Sequence, residues 1–229
     1  MKLFLGHAVE IQDAGKMFIP TLNEVAKIGE SSYMQYLNIL LINKDSLKGN
    51  IDLDSFSIIY QLCKDSYEFM NEFDKAIRLI FRKSLSAMNE DFFVLGNPKH
   101  KKIIHRDNLP IIQHILRVAN MISDQNEDEY KPANERARRF IERMKKRKAK
   151  KPIPKKTISL HSMMSGIAWK ENGISILDIG KLTIYQLYDA YKRIENIDNY
   201  NTHLSGLSFG TVDGKKLNMS EINWARVIN

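Results

Sequence analysis

Several places in the 229-residue chain put chemically capable side chains at suggestive spacing. His105-Arg106-Asp107 matches the opening of a kinase catalytic loop, where the Asp accepts a proton during phosphoryl transfer. Here Asn108 follows at once rather than after the usual interval. No Gly-rich loop lies upstream and no Asp-Phe-Gly is present, so the stretch reads as a strand end running into a helix cap, with Asp107 or Asn108 as the capping residue. Gly206-Leu207-Ser208-Phe209-Gly210 matches the nucleophile elbow G-x-S-x-G. That motif needs a buried strand before it and an Asp and a His after it. Asn199 to Ser205 is polar and no histidine follows Ser208, so a loop is expected. His100, His105 and His114 lack the spacing of a helical zinc pair and read as solvated or capping side chains. Asp52 and Asp54 read as helix-start carboxylates favoured by the positive end of the dipole. There is no P-loop and no dinucleotide fingerprint. No catalytic residue, no metal site and no cofactor is anticipated.

The strongest chemical signal is a charge run. Arg136 to Lys156 contains twelve Lys/Arg and one acidic residue, Glu142, a net +11 against +8 for the whole chain. Arg136, Arg138, Arg139, Arg143, Lys145, Lys146, Arg147 and Lys148 form its densest part. Such a run neutralises phosphates and releases counterions, giving salt-dependent, sequence-blind binding to nucleic acid. It serves equally as a solvated tether, or as a contact for an acidic partner. Phe140 is its one aromatic residue, which leaves base stacking little to work with. Both readings stay open at this stage.

These residues need elements to position them. The length suits one large or two small domains. Apolar content of 43% permits a packed core. The single cysteine, Cys63, excludes an internal disulfide and fits a reducing compartment. The N-terminal apolar run is too short for a signal peptide, and no stretch reaches about 18 uninterrupted apolar residues, so neither export nor a membrane span is expected.

Along the chain, Val9-Ile11 and Met17-Ile19 flank Asp13-Ala14-Gly15 as a hairpin. Thr21 with Glu24 forms a capping-box pattern, and Gly29 divides the helical run that follows. Asn43 to Asn50 reads as a polar loop. Helical regions are predicted from about Asp54 to Met70 and onward to about Met88. Phe92-Leu95 and Lys101-His105 read as paired strands, then a helix with Pro110 in its first turn. Ser123 to Glu135 is acidic and marks the end of the first domain. Pro132 starts a last helix, and Pro152 and Pro154 stop it. After Thr157, Ser159 and Thr183 cap two further helices, the second carrying Ile184, Leu187, Tyr188, Tyr191 and Ile194. The expected architecture is mainly α with a small β contribution (α+β). It comprises a helical N-terminal domain (1–122), an acidic-then-basic linker (123–156) and a small helical C-terminal unit (157–229). The last can make a small but marginal core of its own, which suits docking on a partner.

Several segments resemble tail assembly chaperones of long-tailed phages of Gram-positive hosts. They are Ser159-Leu160-His161-Ser162-Met163, Gly166-Ile167-Ala168-Trp169-Lys170-Glu171-Asn172-Gly173 and Leu182-Thr183-Ile184-Tyr185-Gln186-Leu187-Tyr188-Asp189. Gly210-Thr211-Val212-Asp213-Gly214-Lys215-Lys216, Ile222-Asn223-Trp224-Ala225 and Phe18-Ile19-Pro20-Thr21-Leu22-Asn23-Glu24-Val25 with Gly29-Glu30 join them. The resemblance touches both ends and about half of the chain. It implies a non-enzymatic adaptor in the bacterial host cytoplasm that coats the helical tape measure protein and recruits tail tube protein. It implies Trp169, Tyr185, Tyr188 and Trp224 as partner contacts, with the basic stretch as a charged tether. Self-association and nucleic-acid binding remain further options, as does a structural place in the tail or baseplate.

Overall fold

The computed structural model describes residues 1–43, 53–100, 102–122, 158–170, 173–214 and 217–227. The linker with all its basic residues lies outside them, as do most of the loop after Asn43, Asp52 and Asn172. The fold is mainly α with a small β contribution.

Helix boundaries follow local chemistry. α1 (Leu22–Ile28) starts in the anticipated capping box: the Glu24 amide donates to Thr21 Oγ1 at 3.3 Å and the Thr21 amide to Glu24 Oε2 at 2.8 Å. Gly29, at φ +87°, separates α1 from α2 (Glu30–Leu40). Asp54 caps α3 (Ser55–Asp65). Ser66 takes extended dihedrals, splitting the region predicted as one helix to Met70, and caps α4 (Tyr67–Phe81). The sequence reading carries this helix on to about Met88, and the structure corrects it. Arg82 turns left-handed at φ +57°, and Leu85–Met88 becomes strand β3. Asp74 Oδ1 takes the Leu85 amide at 2.6 Å, and the Gly96 amide donates to Ser84 O, so this backbone is satisfied outside a helix. The Arg82 guanidinium reaches back to pair with Glu24 and lies over the Phe18 ring. Burial opposes ionisation of Glu24; the hydrogen bonds from Arg82 and Thr21 outweigh it and hold the carboxyl below its ordinary value.

The β content is two small antiparallel sheets. β1 (Val9–Ile11) and β2 (Gly15–Met17) form the expected hairpin, with Val9 opposite Met17. β3, β4 (Phe92–Leu95) and β5 (Ile103–His105) form a meander. Phe93 projects from β4 into the core, 4.9 Å from the Phe56 ring and 5.2 Å from Phe73. α5 (Leu109–Ala119) and the residues that flank it, Asn108 and Asn120, then carry three buried polar side chains inward. Asn108 stands at its start but does not cap it: Nδ2 donates to Gln12 O and Ile103 O, and Oδ1 accepts the His105 amide. Gln113 Nε2 donates to Leu40 O and Ile42 O, closing the end of α2. Asn120 accepts from Tyr33 Oη at 2.7 Å and donates to Leu116 O. Every buried polar side-chain atom among the described residues has a partner, as burial demands.

The C-terminal residues form α6 (Leu160–Trp169), a 3-10 turn (Ile179–Lys181), α7 (Ile184–Ser208) and the short α8 (Met219–Ile222). They dock on the chain's own N-terminal part. Leu160, Met163, Ile167, Ile179, Ile184 and Leu187 belong to the same buried cluster as Leu22, Val25 and Tyr33. The joint is a pair of helix starts. Thr183 caps α7 in its own capping box with Gln186 and bridges Thr21 across an antiparallel contact. The Leu22 amide donates to Leu182 O at 2.8 Å, and the Ile184 amide to Pro20 O at 3.0 Å. Gly180 allows the close approach: a Cβ there would lie 2.1 Å from Asn23 Oδ1. Gln186 Nε2 adds a bond to Phe4 O.

Two predictions follow from this packing. Thr21→Ala and Thr183→Ala each lower urea-derived stability by about 1 kcal/mol. Because the two caps share one bridge, the double variant departs from additivity by about 0.5 kcal/mol or more; strict additivity would show that the caps act independently. Cys63 is buried in α3, and burial pushes its thiol up to about 12. The raised folded value favours the protonated thiol, so its contribution is whole below the ordinary value of 9.0 and fades as pH climbs toward about 12. A thiol reagent at pH 8 therefore labels Cys63 only after denaturation; rapid labelling of native protein would contradict this burial.

Candidate functional site

The motifs that looked chemical in the sequence resolve into structural parts. His105 ends β5, its Nε2 3.4 Å from Asp13 Oδ2 and its Nδ1 3.6 Å from Asp107 Oδ2. Arg106 lies 3.6 Å from Asp54 and donates to Ser57 Oγ. This is a strand-to-helix corner, as the sequence implied. Ser208 is different: it lies not in a loop but in the last turn of α7, where its Oγ donates to Leu204 O at 3.0 Å. The polar composition of 196 to 208 hid a helix sustained by its own i, i+4 hydrogen bonds and by the returning tail. No buried strand precedes Ser208, so the elbow geometry is missing as well. No group of three His, Cys, Asp or Glu among the described residues is arranged to hold a metal. No helix among them is long and apolar enough to cross a membrane.

The aromatic side chains expected as partner contacts divide into two pairs. Trp169, at the end of α6, is 73% exposed, and Trp224, in the tail, is 46% exposed. Tyr185 and Tyr188 are half-buried and pack against the core from α7. Burial, then the neighbouring Asp189 carboxylate, raises the Tyr185 phenol above its ordinary value. Tyr188 stands at the joint. Its phenol lies near that of Tyr33, where burial is the main force pushing the Tyr33 phenol far above its usual range, with Tyr188 adding to it. The structure therefore leaves the two tryptophans accessible and spends the two tyrosines partly on packing.

α7 is the element that carries the exposed region. Its 25 residues span about 37 Å at 1.5 Å per residue. None beyond Leu187 is fully buried. The tail runs back along this distal part. Arg193 donates to Trp224 O and Arg226 O, and Arg226 to Asn196 Oδ1, which fixes the backbone beneath the Trp224 ring.

Beside it lies a groove of about 310 Å³ between α6 and α7. Its floor is Met163, Ile167, Tyr191 and Ile194, and Ser162 and Gly166 form one edge. Lys170 and Asp198 pair across one end, and Glu195 stands on the rim. The sequence reading did not find this groove. Its available signal was Ser162 and Gly166, two small residues one turn apart in the helix that also carries Met163 and Ile167.

Residues 147–229, roughly the last third of the chain, match a family model described as the YomV second domain. The family is phage-associated. The match contains the groove, Trp169, Trp224 and all of α7, and it begins inside the basic stretch. No curated protein and no solved structure matches the chain.

Exposure separates the aromatic residues energetically. Trp169→Ala leaves stability within about 0.5 kcal/mol of the parent, whereas Tyr188→Ala costs about 1–3 kcal/mol in the same urea titration. Equal losses would mean that Trp169 is a packing residue rather than an available contact.

Proposed function

We propose that this protein is a phage tail assembly chaperone that holds the tape measure protein in solution and recruits tail tube protein. The observation that carries the reading is an apolar groove, one wall of which is the helix that also ends in the accessible Trp169, within the very residues that match a phage-associated family. A groove of this kind suits capture of an amphipathic helix, whose apolar side chains seat at helical spacing. A tape measure protein exposes long apolar helical seams that aggregate unaided. Exposed tryptophan supplies large contact area at small conformational cost, which suits an interface anchor. The likeness of the chain's segments to tail assembly chaperones supports the same reading. The role requires no catalysis and no cofactor. Its setting is the bacterial host cytoplasm, and Arg136 to Lys156 is the charged tether between the two parts.

The +11 stretch favours a second reading, sequence-blind binding to nucleic acid. The decisive experiment is co-expression with the product of the longest neighbouring reading frame. The expected result is a product soluble only when this chain is present, in a complex that survives neutralisation of Arg136 to Lys148 and weakens with Trp169→Ala. A product equally insoluble with and without the chain would overturn the proposal. Steeply salt-dependent nucleic-acid binding that disappears on neutralisation would then establish the second reading.

A further inference from the structure

Gly166 sits in the interior of α6, where glycine is about 1 kcal/mol less favourable than alanine. A Cβ built there meets no atom within 4 Å, so no packing in the described structure requires its absence. Its effect is on the outer edge of the groove. With Ser162 one turn earlier it makes a low saddle on α6. Side chains at a helix contact ordinarily hold the axes about 8–10 Å apart. A saddle of Gly and Ser admits a second helix at the close end of that range.

The rim has a sign. Asp198 is already paired with Lys170, whereas Glu195 makes no hydrogen bond or ion pair among the described residues. The charge left free beside the apolar floor is thus negative. This runs against the chain as a whole, which is +8 and would attract acidic partners nonspecifically.

We propose that the α6–α7 groove is a docking site for one α-helix of another protein, with an apolar seam bordered by lysine or arginine. The helix crosses at Gly166, seats apolar side chains against Met163, Ile167, Tyr191 and Ile194, and sets a cationic side chain on Glu195. The assignment rests on the helical-partner reading above and names the surface and the charge pattern that reading leaves unspecified.

The test uses the full chain and two labelled synthetic peptides of about three heptads. Both carry the same leucine seam; one is bordered by lysine and its twin by glutamate. In fluorescence anisotropy at moderate salt, the lysine-bordered peptide binds at least about tenfold more tightly, a difference of about 1.4 kcal/mol. Gly166→Met fills the groove with a better helix former and weakens that binding about tenfold, with the thermal unfolding midpoint no lower. Glu195→Lys moves the preference toward the glutamate twin. Tighter binding of the glutamate twin, unchanged by Gly166→Met, would overturn the proposal and assign binding to the basic stretch. Binding of neither peptide would overturn it too, as would a dimer of the chain that Gly166→Met dissolves, since the occupant would then be a second copy. Solubility of the co-expressed partner that is indifferent to Gly166→Met would remove the groove while leaving the chaperone reading in place.

Discussion

The described structure depends on two helix starts solving one problem together. A helix leaves its first amides without intrahelical acceptors, and burying them unpaired is costly. α1 and α7 begin side by side, and each gives the first amide of its helix to the carbonyl that precedes the other's cap. Thr21 and Thr183 accept the third amides, those of Glu24 and Gln186, on their own side chains. The polar ends of both helices can therefore sit against apolar neighbours without penalty, and the shared cluster around Leu22, Ile184 and Leu187 closes over them. Without this exchange, either helix could still form, but the two could not be buried against each other.

Much of the helix and turn architecture was legible because short-range chemistry governs it. Thr21 with Glu24, Gly29, Ser159, Thr183 and the Asp13-Gly15 turn each do in the structure what their side chains and backbone freedom imply. The misreadings have physical reasons. Leu85 continues the apolar spacing of α4, but its amide is held by Asp74, a contact eleven residues away that periodicity does not register. Asn108 looks like a cap and is instead a long-range staple to Gln12. Residues 196 to 208 lack an apolar stripe strong enough to announce a helix; the tail that flanks them supplies what composition does not. The joint itself was invisible, since it is made of main-chain atoms whose sequence signature is only two capping boxes.

The candidate site was half legible for the same reason. Aromatic residues of the C-terminal segment stood out, but sequence cannot tell an anchor from a packing residue. Trp169 and Trp224 are held at the surface, while Tyr185 and Tyr188 share their area with the core. The groove came from neither hydrophobicity nor charge alone. It arises because two helices that join one buried cluster at Leu160 and Leu187 leave Tyr191 and Ile194 only half-covered further along, and because Gly166 adds nothing to fill the gap. Its single unpaired carboxylate is easily lost among the many charges of the chain.

The main-chain character of the joint has a consequence for interchange. Pro20 O, Leu22 N, Leu182 O and Ile184 N belong to every sequence with an extended residue ahead of a capped helix. Side chains contribute the caps, a glycine that clears the approach and the apolar cluster around Leu22, Ile184 and Leu187. A C-terminal module attached in this way asks its host for an exposed helix start with an apolar patch beside it. The backbone part of such a joint is generic, so a change of neighbour would have to recreate chiefly the apolar patch.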